Sequence, residues 1–235
     1  MMRQIVRRLT RTDEVGERLR HDILSGSLTP GQRLKFPVLA EGYGASVGVI
    51  RESLVKLFEQ GLVVSEPHLG FRVTPLTQAG FEELTDARTE LEVFVLRRAV
   101  KDGDLDWESR VVAAHHRFER TPPNEDGTAG TPTEAWLDAH AAFHNTLLDG
   151  CRNRRLLRMA ASLRDETELY RRWATPRPEA PADENAPVEH RALLDAALAR
   201  DADEAERVLR QLIAYSGMLE ITKPPEQSGS EPDRH

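Results

Sequence analysis

His140 and His144 stand four residues apart in the stretch Trp136-Leu137-Asp138-Ala139-His140-Ala141-Ala142-Phe143-His144. On a helix that spacing puts both imidazoles on the same side, one turn apart, with Phe143 and Leu147 flanking them. Such a pair can grip a transition metal, and it serves equally as two packing or surface histidines. Asp138, two residues from His140, faces elsewhere on an ideal helix. A hydrolytic zinc helix would read His-Glu-x-x-His, but Ala141, Ala142 and Phe143 stand between these histidines, and no Ser or Cys nucleophile has a partner base nearby in sequence. A second chemistry lies near the other end of the chain. Arg51 falls about one turn into the stretch Ser46–Gly61, where a guanidinium can bridge guanine O6 and N7 or clamp a phosphate. The alternative is an exposed helix arginine paired locally with Glu52.

The elements that must position these residues can be read from period and punctuation. Ser46 to Gly61 (SVGVIRESLVKLFEQG) is expected to form a helix of about four turns, with Ser46 as N-cap and Gly61 leaving it at positive φ. Val47, Ile50, Leu54, Leu57 and Phe58 are expected on its buried side. Pro37–Glu41 makes a short helix before it, with Gly42-Tyr43-Gly44 as the turn between. That is the pattern of a helix-turn-helix, whose second helix lies in a DNA major groove. Leu62–Ser65 and Phe71–Thr74, joined by Pro67-His68-Leu69-Gly70, read as a hairpin wing; the plainer reading is a helical hairpin followed by a loop. An earlier helix covers 12–25, capped by Thr12 or Asp13. From Gln78 the period is helical, with six segments expected at 78–101, 104–120, 133–150, 153–174, 187–200 and 202–220. The Pro-, Gly- and acid-rich separators 121–131 and 174–187 read as loops. The fold expected is mainly α: a winged helix-turn-helix over 1–75, an all-α antiparallel bundle over 76–222, and a disordered tail over 223–235. Residues 1–11 form a basic arm.

Several blocks in order, GSLTPGQRL, LAEGYGAS, VIRESLVKLFEQGLV and G-F-R-V, resemble the winged-helix domain of the GntR family of transcription regulators. The C-terminal remainder of the chain resembles the family's FadR-like branch, whose helical module, FCD, binds effectors and dimerises. The resemblance runs from about Val15 to Leu219. It implies that Arg51 of Arg51-Glu52-Ser53-Leu54 reads DNA, that Ser46, Arg33 and Lys35 are phosphate contacts, and that His68 and Gly70 form the wing tip. Where the family commonly has an arginine after the serine, this chain has Val47 and then Gly48, so the first helical turn is poor in base-reading side chains. In the module, the family's Asp-x-x-x-His metal pair falls on His140 and His144, its fifth-helix histidine on His190 and its last-helix histidine on Gln211. Three imidazoles suit Zn²⁺, Ni²⁺ or Cu²⁺ better than Mg²⁺. Arg88 matches an arginine that reaches into the effector pocket, where with a metal it would bind a small carboxylate; otherwise it pairs with Glu92 on the surface. The implied function is a metabolite-responsive regulator, a repressor in the first instance, binding a palindromic operator as a homodimer.

Composition agrees with that division. The chain has 235 residues and a net charge of −7. Residues 1–75 hold 11 basic and 8 acidic residues, a net +3, and the remainder holds 21 and 31, a net −10. An acidic domain beside a basic one suits a nucleic-acid-facing N-terminal half. There is no apolar run near the ~18 residues of a membrane span and no signal-peptide pattern. The single cysteine, Cys151, cannot make an internal disulfide. A cytoplasmic protein is expected. His115 and His116 are expected at the surface or in packing, and Trp107, Trp136 and Trp173 in core or interface. Two other classes stay open: a DNA-bound dimer with a degenerate pocket, and a metallo-enzyme using the histidines.

Overall fold

A computed structural model describes residues 10–123, 133–176, 186–216 and 219–221. Residues 1–9 of the expected arm, the middles of both long loops and the expected tail lie outside them. The described chain is mainly helical, with a small three-stranded antiparallel sheet after the N-terminal helix-turn-helix.

The first helix, α1 (Arg11–Leu24), starts earlier than expected. Thr10 is its cap: the hydroxyl accepts from the Asp13 amide while the Asp13 carboxylate accepts from the Thr10 amide. This reciprocal box satisfies two otherwise orphaned amides, and it displaces Thr12 and Asp13 as cap candidates. The two-residue strand β1 (Arg33–Leu34) leads into α2 (Phe36–Tyr43), which absorbs Gly42 and Tyr43 and ends at Gly44, φ 58°. Then comes α3 (Val47–Glu59), capped by Ser46 through the Val49 amide at 3.3 Å. Strands β2 (Val63–Glu66) and β3 (Gly70–Val73) form the hairpin, and β1 joins it in the order β1-β3-β2. Two residues pairing across nearly forty positions carry no periodic signal, so β1 was not expected.

The buried face of α3 is Ile50, Ser53, Leu54 and Leu57. Val47 and Phe58 were expected there and are instead 45% and 49% exposed. Both lie at the edge of the stripe, and Ser53 takes the centre of the face because α1 packs close enough for its hydroxyl to donate to the Thr12 carbonyl at 3.0 Å. Val15, Leu19 and Ile23 of α1 meet Ile50, Leu54 and Leu57 in one core, which also takes in Leu62, Val73 and, from far along the chain, Leu169. Each such side chain contributes about 1.5–3 kcal/mol relative to exposure.

Six further helices follow among the described residues: α4 (Gln78–Asp102), α5 (Leu105–Arg120), α6 (Glu134–Leu148), α7 (Arg154–Trp173), α8 (Ala186–Leu198) and α9 (Ala202–Ser216). Thr77, Asp104 and Thr133 cap α4, α5 and α6 with their side-chain oxygens. The bundle core is centred on Val95, Leu96, Ala99, Trp107, Phe143, Leu147, Leu193 and Leu209. Trp107 is 1% exposed and lies between Gly103 and Gly150; a methyl on Gly103 would fall 2.3 Å from its ring. One pairing was not expected: β4 (Ala174–Pro176) runs antiparallel to β5 (Leu219–Ile221), where the sequence suggested a loop and the end of the last helix.

Candidate metal centre and DNA-facing surface

The N-terminal part of α3 presents Ser46, Val47, Gly48 and Arg51 to solvent. Arg51 does not pair with Glu52. Its guanidinium lies over the Phe36 ring at 4.7 Å, a cation–π contact, and Phe36 in turn meets Phe71 of β3 edge-on at 6.2 Å. One aromatic residue thus holds the arginine and ties α2 to the wing, which restricts the guanidinium before any partner is met. Glu52 instead accepts from the Thr12 hydroxyl at 3.2 Å. Arg33 donates to the Leu69 carbonyl at 3.2 and 3.4 Å, bracing the wing turn, and Lys35 is exposed at the N-cap of α2. The turn carries His68 at φ 64° and Gly70 at φ 89°. Left-handed backbone is costly for histidine, so the tip is strained where it is most exposed. Ser46 accepts the cap hydrogen bond on its hydroxyl oxygen, which leaves its O–H able to donate elsewhere.

In the bundle, α6 and α8 bring His140, His144 and His190 together, each no more than 5% exposed. One nitrogen from each lies within 4.8 Å of the other two, and His144 Nε2 is 3.1 Å from His190 Nε2. Two imidazoles on one zinc at ~2.0–2.1 Å would hold their nitrogens roughly 3.3 Å apart, close to that separation. Burial, with the Arg171 guanidinium adding repulsion, holds the His140 imidazole well below its usual value; burial and Arg164 do the same to His144. Both are therefore neutral at pH 7 and have lone pairs to give, as ligation requires. Aromatic rings wall them: Trp136 stacks on His140 with centroids 5.1 Å apart, and Phe118 lies 4.9 Å from His190. The buried His144 Nδ1 has no hydrogen-bond partner among the described residues. Donor set, spacing and protonation all fit a divalent transition ion.

Gln211 does not join the histidines. It is exposed on α9 and accepts from Arg207 at 2.8 Å, because the buried stripe of that helix is Ala205, Val208, Leu209 and Ile213, and Gln211 falls outside it. His115 packs edge-on against Phe143, and His116 is exposed.

Arg88 is buried, not at the surface. Its Nε donates to Glu92 at 2.6 Å, and the other Glu92 oxygen accepts from Arg164 of α7. Glu92 is fully buried, Arg88 and Arg164 nearly so. Burial pulls Arg164 down to about 10, opposed by Glu92, and Arg88 adds like-charge repulsion; it remains a cation at neutral pH. Arg171 lies 3.4 Å from His140 Nδ1 and 3.6 Å from Glu168. Beside neutral imidazoles, three guanidiniums face two carboxylates among the described residues. Among the described residues, Arg164 Nε and Glu168 Oε2 are buried without a hydrogen-bond partner. Arg164, Glu168 and Arg171 escaped the sequence reading, which saw Glu92 only as a surface partner of Arg88. Their signal was present: Arg164, Glu168 and Arg171 fall on the i, i+4, i+7 stripe of one helix face.

A winged helix-turn-helix with an exposed arginine on its second helix, joined to a helical bundle with imidazoles and arginines buried together, defines the class of DNA-binding regulators that carry a ligand domain. The chain belongs to the GntR family, with an FCD domain: residues 11–73 match the bacterial regulatory proteins, gntR family, and residues 83–215 match the FCD domain. It is 36% identical over 203 residues to BphR of Paraburkholderia xenovorans LB400, described as an uncharacterised HTH-type transcriptional regulator, covering 85% of this chain and 81% of that one. It is 29% identical to the HTH-type transcriptional repressor GlaR of Escherichia coli K12, covering 82% and 88%. In three dimensions it is similar to E. coli McbR/YncC, with a TM-score of 0.70 at 20% identity, covering 88% and 95%. The protein is a transcription regulator, not an enzyme. No helix among the described residues is long and apolar enough to cross a membrane.

Proposed function

We propose that this regulator binds a palindromic operator as a homodimer, through residues 1–75, and that a small carboxylate, held with a transition metal in the domain spanning 76–222, controls that binding. The observation that carries the reading is the buried His140, His144 and His190 beside Arg88, Arg164 and Arg171. A bound Zn²⁺ or Ni²⁺ would supply an open coordination position. The guanidiniums would take the carboxylate's charge, and the aromatic rings would keep water out. Arg51 would read a base, with Arg33, Lys35 and Ser46 on phosphates and His68 and Gly70 at the wing tip. Dimerisation would match two such surfaces to two half-sites. Repression is the expected sign, and GlaR is a named repressor. The cytoplasm is the expected compartment.

The exposed position of Gln211 favours a second reading, in which the pocket binds nothing and the operator is held constitutively. Metal content per chain decides between them, measured on tag-free wild type and His144→Ala purified without chelator. About one transition-metal ion per chain, lost in the variant, is the expected result. A metal-free wild type that gains no thermal stability from added Zn²⁺ or Ni²⁺ sinks the metal part of the proposal.

A further inference from the structure

Helix α7 has two differently occupied faces. Arg164, Glu168 and Arg171 face the histidine pocket and its carboxylates. One residue on from Arg164 and Glu168, about 100° around the axis, Asp165 and Leu169 face the winged helix, and Trp173 continues their stripe one turn further. Arg20 of α1 grips the Asp165 carboxylate with Nε and Nη2, the former at 3.3 Å, in a pair only about a quarter to a third exposed. Leu169 is fully buried within the winged-helix core, and Trp173 packs against the same core. Glu166 lies against the turn after α3: a methyl on Gly61 would fall 2.8 Å from its carboxylate. Between these faces, Tyr170 stacks on Phe81 of α4 with centroids 5.1 Å apart. One twenty-residue helix therefore makes part of the pocket wall and part of the DNA-binding domain's core.

We propose that α7 transmits the state of the pocket to the winged helix, with the Arg20–Asp165 pair as the latch between them. This rests on the pocket binding a ligand as proposed above. Arg164 is tied to Glu92, and Arg171 sits beside His140. A cation taken by the imidazoles, or an anion taken by the guanidiniums, changes what both arginines face. Because α7 is close-packed on both of these faces, it responds by shifting as a body, and α1 and the turn at Gly61 move with it. The bidentate pair is the directional part of that contact. Leu169 can slide within an apolar core, whereas a fork of two charged hydrogen bonds holds one register.

Hydrogen–deuterium exchange on the full-length protein tests this, with Zn²⁺ alone as the probe and calorimetry reporting zinc binding separately. Zinc should slow exchange in α1 and around Gly61 by about fivefold or more in the wild type. In Arg20→Ala, and in Asp165→Asn as a milder variant, the zinc isotherm should be unchanged while the α1 response falls below about twofold. Zinc binding with α1 unmoved in the wild type, or with α1 moving equally in both variants, overturns the proposal. If no zinc binds, the metal reading fails and Arg164→Lys decides the present one. That change alters the pocket end of α7 with no ligand added, and should change α1 exchange in the wild-type background but not with Arg20→Ala. An α1 indifferent to it refutes transmission through α7.

Discussion

Glu92→Gln should be among the most damaging single changes in the helical domain, although it alters neither the size nor the shape of the side chain. Glu92 is fully buried and accepts from two guanidiniums, Arg88 at 2.6 Å and Arg164 from the facing helix. At an effective dielectric near 20, unit charges about 4 Å apart attract by about 4 kcal/mol, and Glu92 has two such partners. Most of that gross attraction is offset by desolvating all three ions. The amide leaves two guanidiniums buried without their countercharge, so the net loss should be about 3–5 kcal/mol. Equilibrium urea unfolding followed by tryptophan fluorescence measures it, with Trp107 and Trp136 reporting from the bundle. Replacing Arg88, Glu92 and Arg164 together by Met should recover most of the loss, because the desolvation cost disappears with the charges. A loss below about 1 kcal/mol for Glu92→Gln would refute the reasoning, since it would mean that water reaches the triad.

Other perturbations test other parts. Arg51→Ala should cost about 1–3 kcal/mol of specific operator binding; titrations against operator and scrambled DNA would demote it to a phosphate contact if both fell equally. Gly103→Ala drives a methyl into Trp107 and the Ala99 carbonyl, and should lower stability by about 1–3 kcal/mol in urea unfolding. Gly61→Ala meets the Glu166 carboxylate at a φ of 77°; adding Glu166→Ala should relieve the clash and leave about 1–2 kcal/mol of left-handed strain. His140 and His144 are depressed in the folded state, so in the window below the unfolded value near 6.5 the unfolded chain binds the extra protons. Metal-free protein should lose stability as pH falls through that window, by up to about 1.4 kcal/mol per unit for each histidine. Melting at pH 7.5 and 5.5 checks this, and His140→Gln with His144→Gln should flatten the difference; an unchanged slope would place the acid sensitivity elsewhere.

What the sequence made legible was local. Ser46 and Gly61 mark both ends of α3 because a cap and a positive-φ exit are chemical requirements of a helix end. The six later helices could be separated because Asp102-Gly103, Asp149-Gly150 and Arg200-Asp201 interrupt a continuous 3.6 period. The pair His140 and His144 was visible for the same reason. What escaped was non-local. β1 depends on a strand nearly forty residues away, and β4 on one more than forty away. Arg164 meets Glu92 only because α4 and α7 pack together. Gln211 could be placed by position but not by direction, since the phase of α9 is fixed by its contacts. Phe58 has the right residue type for a core and the wrong angle by a fraction of a turn.

The short pairing of β4 with β5 has a further consequence. Ala174 comes directly after α7, and Ile221 lies beyond α9, so the two strands close everything between them into a loop pinned at its neck. His190 rides on that loop, whereas His140 and His144 belong to α6, outside it. An ion shared by the three rings would thus cross-link two pieces of chain that are otherwise joined by apolar packing and by ion pairs such as Arg97–Glu206 and Arg200–Glu108, acting as a removable staple. Stripping it would free the loop to breathe about its neck without unfolding the rest.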